Sequence, residues 1–259
     1  MPGLPRICFL VPEDTAQESL HELEQSLSPD REDPVALSFL TYRLHEPLIH
    51  YLQLASEVLS RRIGRPEIQS AIFAAGRVMT LNGLRANVKE VIFRENGFRP
   101  EDREHYRNGL RAFRMALTAG HRNAFSAFTP RFRELDLPVE LVLCQRGNGA
   151  VLNTINRFAL GPDDESSIRR KLERARGNYE LFQFFEEGES DPSSHETIYR
   201  AASALDELGL RPRLEVSTDR ERGRTVASLE VGCSGGPAPE AAPPETDCSP
   251  LAFQKVFDG

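Results

Sequence analysis

The stretch from Asp102 to Arg133 is the most basic and most regularly helical part of this chain, and it limits what the rest can fold into. At about 100° per residue, Arg103, Arg107, Arg111 and Arg114 fall within an arc of roughly 80° on a helix. Tyr106, Leu110, Phe113 and Leu117 form an apolar stripe centred roughly 90° away. On this spacing the arginines flank the apolar face instead of opposing it, and two uses follow. Their stems lie along a neighbouring helix with the charges in water, or their guanidinium forks dock carboxylates or phosphates.

The rest of the chain is acidic. Over 259 residues the formal charge is −7. Residues 1–60 carry 3 basic against 10 acidic side chains, residues 61–150 carry 16 against 9, and residues 151–259 carry 13 against 20. A basic middle between acidic ends is either compensated inside the molecule or faces an acidic or phosphorylated protein partner. The length allows one large domain or two smaller ones, with a sizeable core. Cys8, Cys144, Cys233 and Cys248 are far apart and form no CxxC pair, a pattern of reduced thiols and not of a disulfide framework or a zinc site. The apolar run Ile7–Val11 is shorter than a signal-peptide core, and no window approaches the length of a bilayer span. A soluble, cytoplasmic chain is expected, with no membrane association, metal or cofactor.

Along the chain, Arg6–Val11 is predicted as a short buried strand, followed by an acidic helix from Thr15 to Ser26. Asp33 and Pro34 form an N-cap and first helical residue. Leu37, Leu40, Leu44, Leu48, Leu52, Ala55 and Val58 then recur at helical steps to about Leu59, with Pro47 kinking or restarting the helix. Gly64-Arg65-Pro66 breaks the chain. A second helix carries Ile68, Ile72, Ala75, Met79, Val88, Val91 and Ile92, is weakened at Asn82-Gly83 and ends at Asn96-Gly97. Gly120 and Pro130 divide the basic helix.

After Asp136 the expectation is a strand Val139–Cys144, a turn Arg146–Gly149 and a short helix Ala150–Leu160. A helix capped by Asp163 or Asp164 follows, then an aromatic cluster (Tyr179, Phe182, Phe184, Phe185). A further helix starts at Asp191-Pro192, and a hairpin joins Arg213–Ser217 to Val226–Val231. The fold class implied is mainly α, an antiparallel helical bundle followed by a smaller α+β region. The divisions are an N-terminal strand and acidic helix (1–32), the bundle (33–135), the α+β region (136–234) and a flexible Pro/Ala-rich tail (235–259).

Two stretches bear on function. Phe39-Leu40, His45-Glu46 and Pro47-Leu48, with a later Glu57-Val58-Leu59, resemble the phosphoacceptor helix of sensor histidine kinases. In that family a Phe-Leu pair precedes a His-Glu pair and a proline follows; here about one turn is missing between Glu46 and Pro47. Arg213 to Gly236 resembles the strand pair that leads to the nucleotide-binding Asp-x-Gly-x-Gly loop of the kinase ATPase domain. The family's Asp is replaced at about Cys233, and Val151-Leu152-Asn153 is the nearest candidate for its asparagine box. The resemblance implies a degenerate relative, a phosphotransfer or docking protein that binds ATP poorly. His45 would then be the phosphoacceptor and Glu46 the acid that orients it.

Other candidates are simpler. His45 and His50 sit about 140° apart and cannot act as a metal pair. His105, His121 and His195 have no Cys or acidic neighbours at ligand spacing. Arg146-Gly147-Asn148-Gly149 lacks the lysine of a phosphate loop and reads as a turn. Asp163, Asp164 and Glu165 read as first-turn acids that complement a helix dipole. Phenylalanines between arginines (Phe113, Phe125, Phe128, Phe132) suit single-stranded nucleic acid, but they suit a core better, and the acidic flanks oppose nucleic acid.

The function expected is a non-catalytic regulatory or adaptor protein of signalling that uses protein–protein interaction, possible homodimerisation through the bundle, and Arg103, Arg107, Arg111, Arg114 and Arg146 for partner binding. The alternatives are an enzyme that holds an anionic substrate with Arg107, Arg111 and Arg146, or a nucleic-acid-binding regulator.

Overall fold

The computed structural model describes residues 6–10, 36–119, 124–174, 202–203, 205–210 and 212–232. Its centre is a six-stranded sheet, so the class is α+β and the expected helical bundle is corrected. The strands are β1 (Arg6–Leu10), β2 (Ala36–Thr41), β3 (Val139–Arg146), β4 (Gly149–Asn156), β5 (Arg213–Asp219) and β6 (Arg224–Val231). Their spatial order is β1-β2-β3-β4-β6-β5. All neighbours are antiparallel except the edge pair β1–β2, which is parallel.

One expected helix, and the start of another, are strands, for one physical reason. All six residues of β2 are buried, and seven of the eight in β4 are. A strand covered on both faces has no alternation of apolar and polar residues to betray it. The steps Leu37–Leu40–Leu44 then match a helical stripe by chance. Asp33 and Pro34 lie outside the described residues, as do the acidic helix, the aromatic cluster and the tail. Gly147, with φ +56°, and Asn148 join β3 to β4 as a tight hairpin loop.

The helices are α1 (Glu46–Ile63), α2 (Gln69–Glu95), α3 (Arg103–Ala119), α4 (Ala124–Glu134) and α5 (Pro162–Arg174). Helix α1 starts with Pro47 in its first turn and ends at Gly64, which adopts φ +75°. So Pro47 starts the helix and does not kink it. Asp102 Oδ1 accepts the backbone N–H groups of Glu104 and His105 at the start of α3. Pro130 lies inside α4 without ending it.

Helices α1 and α2 cover one face of the sheet. Leu37, Phe39, Leu141, Leu143, Leu152, Leu229 and Val231 meet Leu48, Tyr51, Leu52, Ile68, Ile72 and Met79 there. The C-terminal half of α2 builds a second cluster, in which Leu84, Val88, Val91 and Ile92 pack with Phe132, Leu137, Val139 and Phe158. Phe113, Leu117 and Phe128 from α3 and α4 lean on it. On the opposite sheet face Ala36, Val142, Ile155 and Val226 make a smaller buried group.

Helix α3 packs Tyr106, Leu110, Phe113 and Leu117 half-buried, as expected, and its buried face extends past them, away from the arginines. Its fully buried residue is Gly109, with Ala112 and Ala116 beside it. A β-carbon on Gly109 would lie 2.4 Å from the Phe93 ring. The small residues let α3 settle on α2, so its buried face centres roughly opposite the arginines. The arginines therefore oppose the packed face. Gly109→Ala is expected to destabilise the fold by about 1–3 kcal/mol, because an aromatic ring must move. Urea unfolding checks this, and Phe93→Leu in the same chain should return part of the loss.

Candidate functional site

Past Gly83, α2 borders a cavity of about 290 Å³ against the sheet. One side is α2, with Met79, Asn82, Arg85, Ala86 and Lys89. The floor is Thr154 and Asn156 of β4, Thr225 and Ala227 of β6 and Val216 of β5. Phe113, Phe158, Leu160 and, from α5, Asp164, Ser167 and Ile168 complete it. Residues 79, 82, 86 and 89 recur at three- and four-residue steps, which puts them on one helix face. Thr154 and Asn156 share a sheet face because side chains alternate along a strand.

A charged clasp closes one wall. Lys89 Nζ donates to both carboxylate oxygens of Asp164, the Oδ2 contact at 2.5 Å. Each side chain is only 18% exposed. Tyr106 Oη donates to Asp164 Oδ1 at 2.6 Å. The Lys89 ammonium also lies 4.7 Å from the Tyr106 ring centre and 5.2 Å from that of Phe93, a cation–π arrangement with both. Burial first, then the hydrogen bond and charge of Asp164, push the Tyr106 hydroxyl well above its ordinary pKa. The clasp ties α2, α3 and α5 together, and Arg220 holds α5 from the β5–β6 turn through Glu165 at 2.8 Å.

The floor is set by buried amides. Asn156 Nδ2 donates to the Gly83 carbonyl at 2.9 Å and to Asn87 Oδ1 at 2.7 Å. Asn87 Nδ2 donates to the Leu137 carbonyl at 2.6 Å. Thr225 Oγ1 donates to the Phe158 carbonyl at 2.8 Å. Thr154 differs: its side chain lines the cavity at 2% exposure, and its Oγ1 has no hydrogen-bond partner among the described residues.

Of the residues expected from sequence to act in catalysis or partner binding, none lines this cavity; Phe113 and Asp164, read from sequence as a core or stacking aromatic and a first-turn acid, do. His45 is the N-cap of α1, half-buried between β2 and the helix, with Nδ1–H donated to the Arg43 carbonyl at 3.1 Å. Glu46 is exposed in the first turn. The pair thus sits at a strand–helix joint, and α1 packs on the sheet instead of forming a free two-helix stem. Arg103, Arg107, Arg111 and Arg114 are exposed on α3. Arg146 ends β3 and pairs with Glu230 on the other sheet face. That hairpin end lies by Gly232 and Arg65, whereas α3 packs at the other end of α2, so Arg107, Arg111 and Arg146 do not converge on one anion site.

Asn153 stands on the face of β4 away from the cavity, and Asn156 and Asn87 are the buried asparagines. Asp164 does occupy a first helical turn, but its carboxylate serves Lys89 and Tyr106. The signal for it lay in α2, where Arg85 and Lys89 stand amid Met79, Gly83, Ala86 and Val88. Among the described residues no group of three or more His, Cys, Asp or Glu could hold a metal, and no helix is long and apolar enough to cross a membrane. Compared with protein-family models, characterised proteins and solved structures, the chain matches none.

Lys89→Met leaves Asp164 without its cation in a half-closed site, and a loss of about 3 kcal/mol is expected. Tyr106→Phe should cost about 1–2 kcal/mol at neutral pH, since Lys89 still serves the carboxylate. A tyrosine whose folded pKa is raised stabilises the fold below about pH 10 and loses that contribution as pH rises further, because only the unfolded chain releases the proton. Urea unfolding at several alkaline pH values should therefore fall more steeply in the parent protein than in Tyr106→Phe.

Proposed function

We propose that this chain is a non-catalytic regulatory protein of cytoplasmic signalling, a degenerate relative of the sensor-kinase ATPase region. Its cavity takes a small ligand and its surface docks a protein partner. One observation carries the reading: a largely apolar cavity with a buried Thr154 hydroxyl that has no hydrogen-bond partner among the described residues. Ligand sites are concave and mostly apolar, with a few placed polar groups. A buried hydroxyl without a partner is a standing energetic penalty that a bound acceptor or donor removes.

The hairpin β5–β6 is the stretch that resembles the strand pair leading to a nucleotide loop, and Val216, Thr225 and Ala227 of that hairpin line the cavity. This supports a nucleoside-like ligand. Asp164, the carboxylate among the lining residues, is already engaged by Lys89 and Tyr106. That favours holding a ligand over turning it over.

Adenosine, ADP and ATP, each with and without Mg²⁺, should be titrated into the full chain during thermal unfolding. A rise in Tm of about 3 °C or more is expected for adenosine or ADP at saturation, with no phosphate released from ATP. Thr154→Val should abolish the shift and, free of ligand, stabilise the protein by about 1 kcal/mol by removing the orphaned hydroxyl. Phosphate release that Thr154→Val removes would overturn the non-catalytic reading. No shift with any of the three would overturn the ligand reading.

A further inference from the structure

We infer that the outer face of α3 is a docking site for an acidic, amphipathic helix of a partner protein. Arg103, Arg107, Arg111 and Met115 follow one another at four-residue steps. Each step climbs about 6 Å and turns about 40°, so the four form one shallow stripe about 18 Å long. All four are exposed, and Met115 stands 61% exposed, one of two large apolar side chains exposed among the described residues. Three cations leading to one apolar side chain match the mixture of charge and greasy contact that a helix-sized partner covers.

Charge pairing bears on the same three arginines. Several other exposed arginines among the described residues have a carboxylate at hand: Arg61 with Glu57, Arg94 with Glu90, Arg131 with Glu95 and Glu134, Arg220 with Glu165, while Arg170 bonds the Ser166 carbonyl. Among the described residues, Arg103, Arg107 and Arg111 have none. The complement of such a row is a row of carboxylates at the same pitch, which a second helix supplies at its own i, i+4 and i+8 positions. Guanidinium forks donate paired hydrogen bonds to carboxylates. A long polyanion fits less well, because the whole chain carries −7 and Glu104 stands beside the stripe near its start.

The helix behind the stripe is already set. Gly109 rests on Phe93, Tyr106 is tied to Asp164, and Phe113 and Leu117 lean on the α2 cluster. These contacts hold the helix itself before any partner arrives, so little ordering of α3 opposes binding. Exposed ion pairs are individually weak, and the complex is therefore transient and sensitive to salt. The inference stands apart from the ligand proposed for the cavity, since none of the three arginines lines it.

The test is fluorescence anisotropy of a labelled helical peptide with Glu at i, i+4 and i+8 and Leu at i+12, titrated with the full chain. Binding is expected to weaken about tenfold between about 50 and 200 mM salt. Arg107→Glu with Arg111→Glu should weaken it at least about tenfold, and Met115→Ser a few-fold. Circular dichroism and the adenosine-induced Tm shift serve as controls, because these exposed substitutions leave the fold and cavity intact. Failure of the peptide with an intact adenosine shift overturns the docking site and leaves the ligand reading standing. Binding that ignores the charge reversal also overturns it. Equal affinity for a phosphopeptide or a single-stranded oligonucleotide of the same charge overturns the carboxylate class. Self-association lost in the charge-reversed variant assigns the face to a second copy and overturns the separate partner.

Discussion

The backbone of α2 touches the sheet directly at Gly83, and the arrangement of the other helices follows from that contact. A β-carbon there would lie 2.8 Å from Val139 Cγ1 and 3.0 Å from Thr154 Cγ2. Gly76, two turns earlier on the same helix face, would place one 3.3 Å from Leu52 Cδ2 and 3.6 Å from Leu141 Cδ2. Two glycines in the middle of a helix are each unfavourable by roughly 1 kcal/mol relative to alanine. Here they bring the helix axis down onto β3 and β4, and the Asn156 amide reaches the Gly83 carbonyl. To one side of that contact Leu84, Val88 and Val91 fill the gap against Leu137 and Phe132. To the other, toward β5 and β6, the helix offers Met79 and Ala86, and the space stays open as the cavity.

An open flank beside a buried sheet would expose the edge of the core unless something spanned it. Helix α5 does so, and what holds it is electrostatic more than apolar. Removing a lysine and an aspartate from water is unfavourable by several kcal/mol per ion, and their attraction offsets this only with good geometry and further hydrogen bonds. Lys89 meets both Asp164 oxygens, Tyr106 donates to the same carboxylate, and two aromatic faces lie near the ammonium. Each partner is satisfied more than once, which is why the pair persists at 18% exposure. Such a wall is specific in geometry but holds less firmly than packed leucines would.

The parts of this fold legible in the sequence are those whose burial is one-sided or whose ends are marked. The hairpin β5–β6 alternates because β5 shows one face to water, whereas helix α2, with 17 of its 27 residues buried, is legible through its ends at Gly64-Arg65-Pro66 and Asn96-Gly97. β2 and β4 are buried on both faces, so Ala36–Thr41 and Gly149–Asn156 carry no period of two and read as helix. Asn82-Gly83 reads as a weak point for the same reason: sequence shows the propensity of a glycine, not the strand beneath it. The clasp was hidden by distance, with Lys89, Tyr106 and Asp164 on three helices, and each has an ordinary role when read alone. Asp164 complements a helix start, Tyr106 completes an apolar stripe, and Lys89 decorates a helix.

Helix α3 shows how small and large residues together set orientation. Its large apolar side chains, Tyr106, Leu110, Phe113 and Leu117, place the packed face beside the arginines. Gly109, Ala112 and Ala116 extend it to the side away from them, and the structure packs both sets, with Gly109 closest to α2. Close approach of two backbones brings many atoms into contact at once, whereas a long side chain can reach a core from the flank of a helix. Phe113 does this, leaning from the side of α3 into the cavity wall. The same packing leaves Arg103, Arg107 and Arg111 exposed to water. Gly109 therefore sets two things together: how far Phe113 enters the cavity and which way the basic stripe faces. A change that moved α3 off Phe93 would alter both, since one rigid helix carries them on opposite sides.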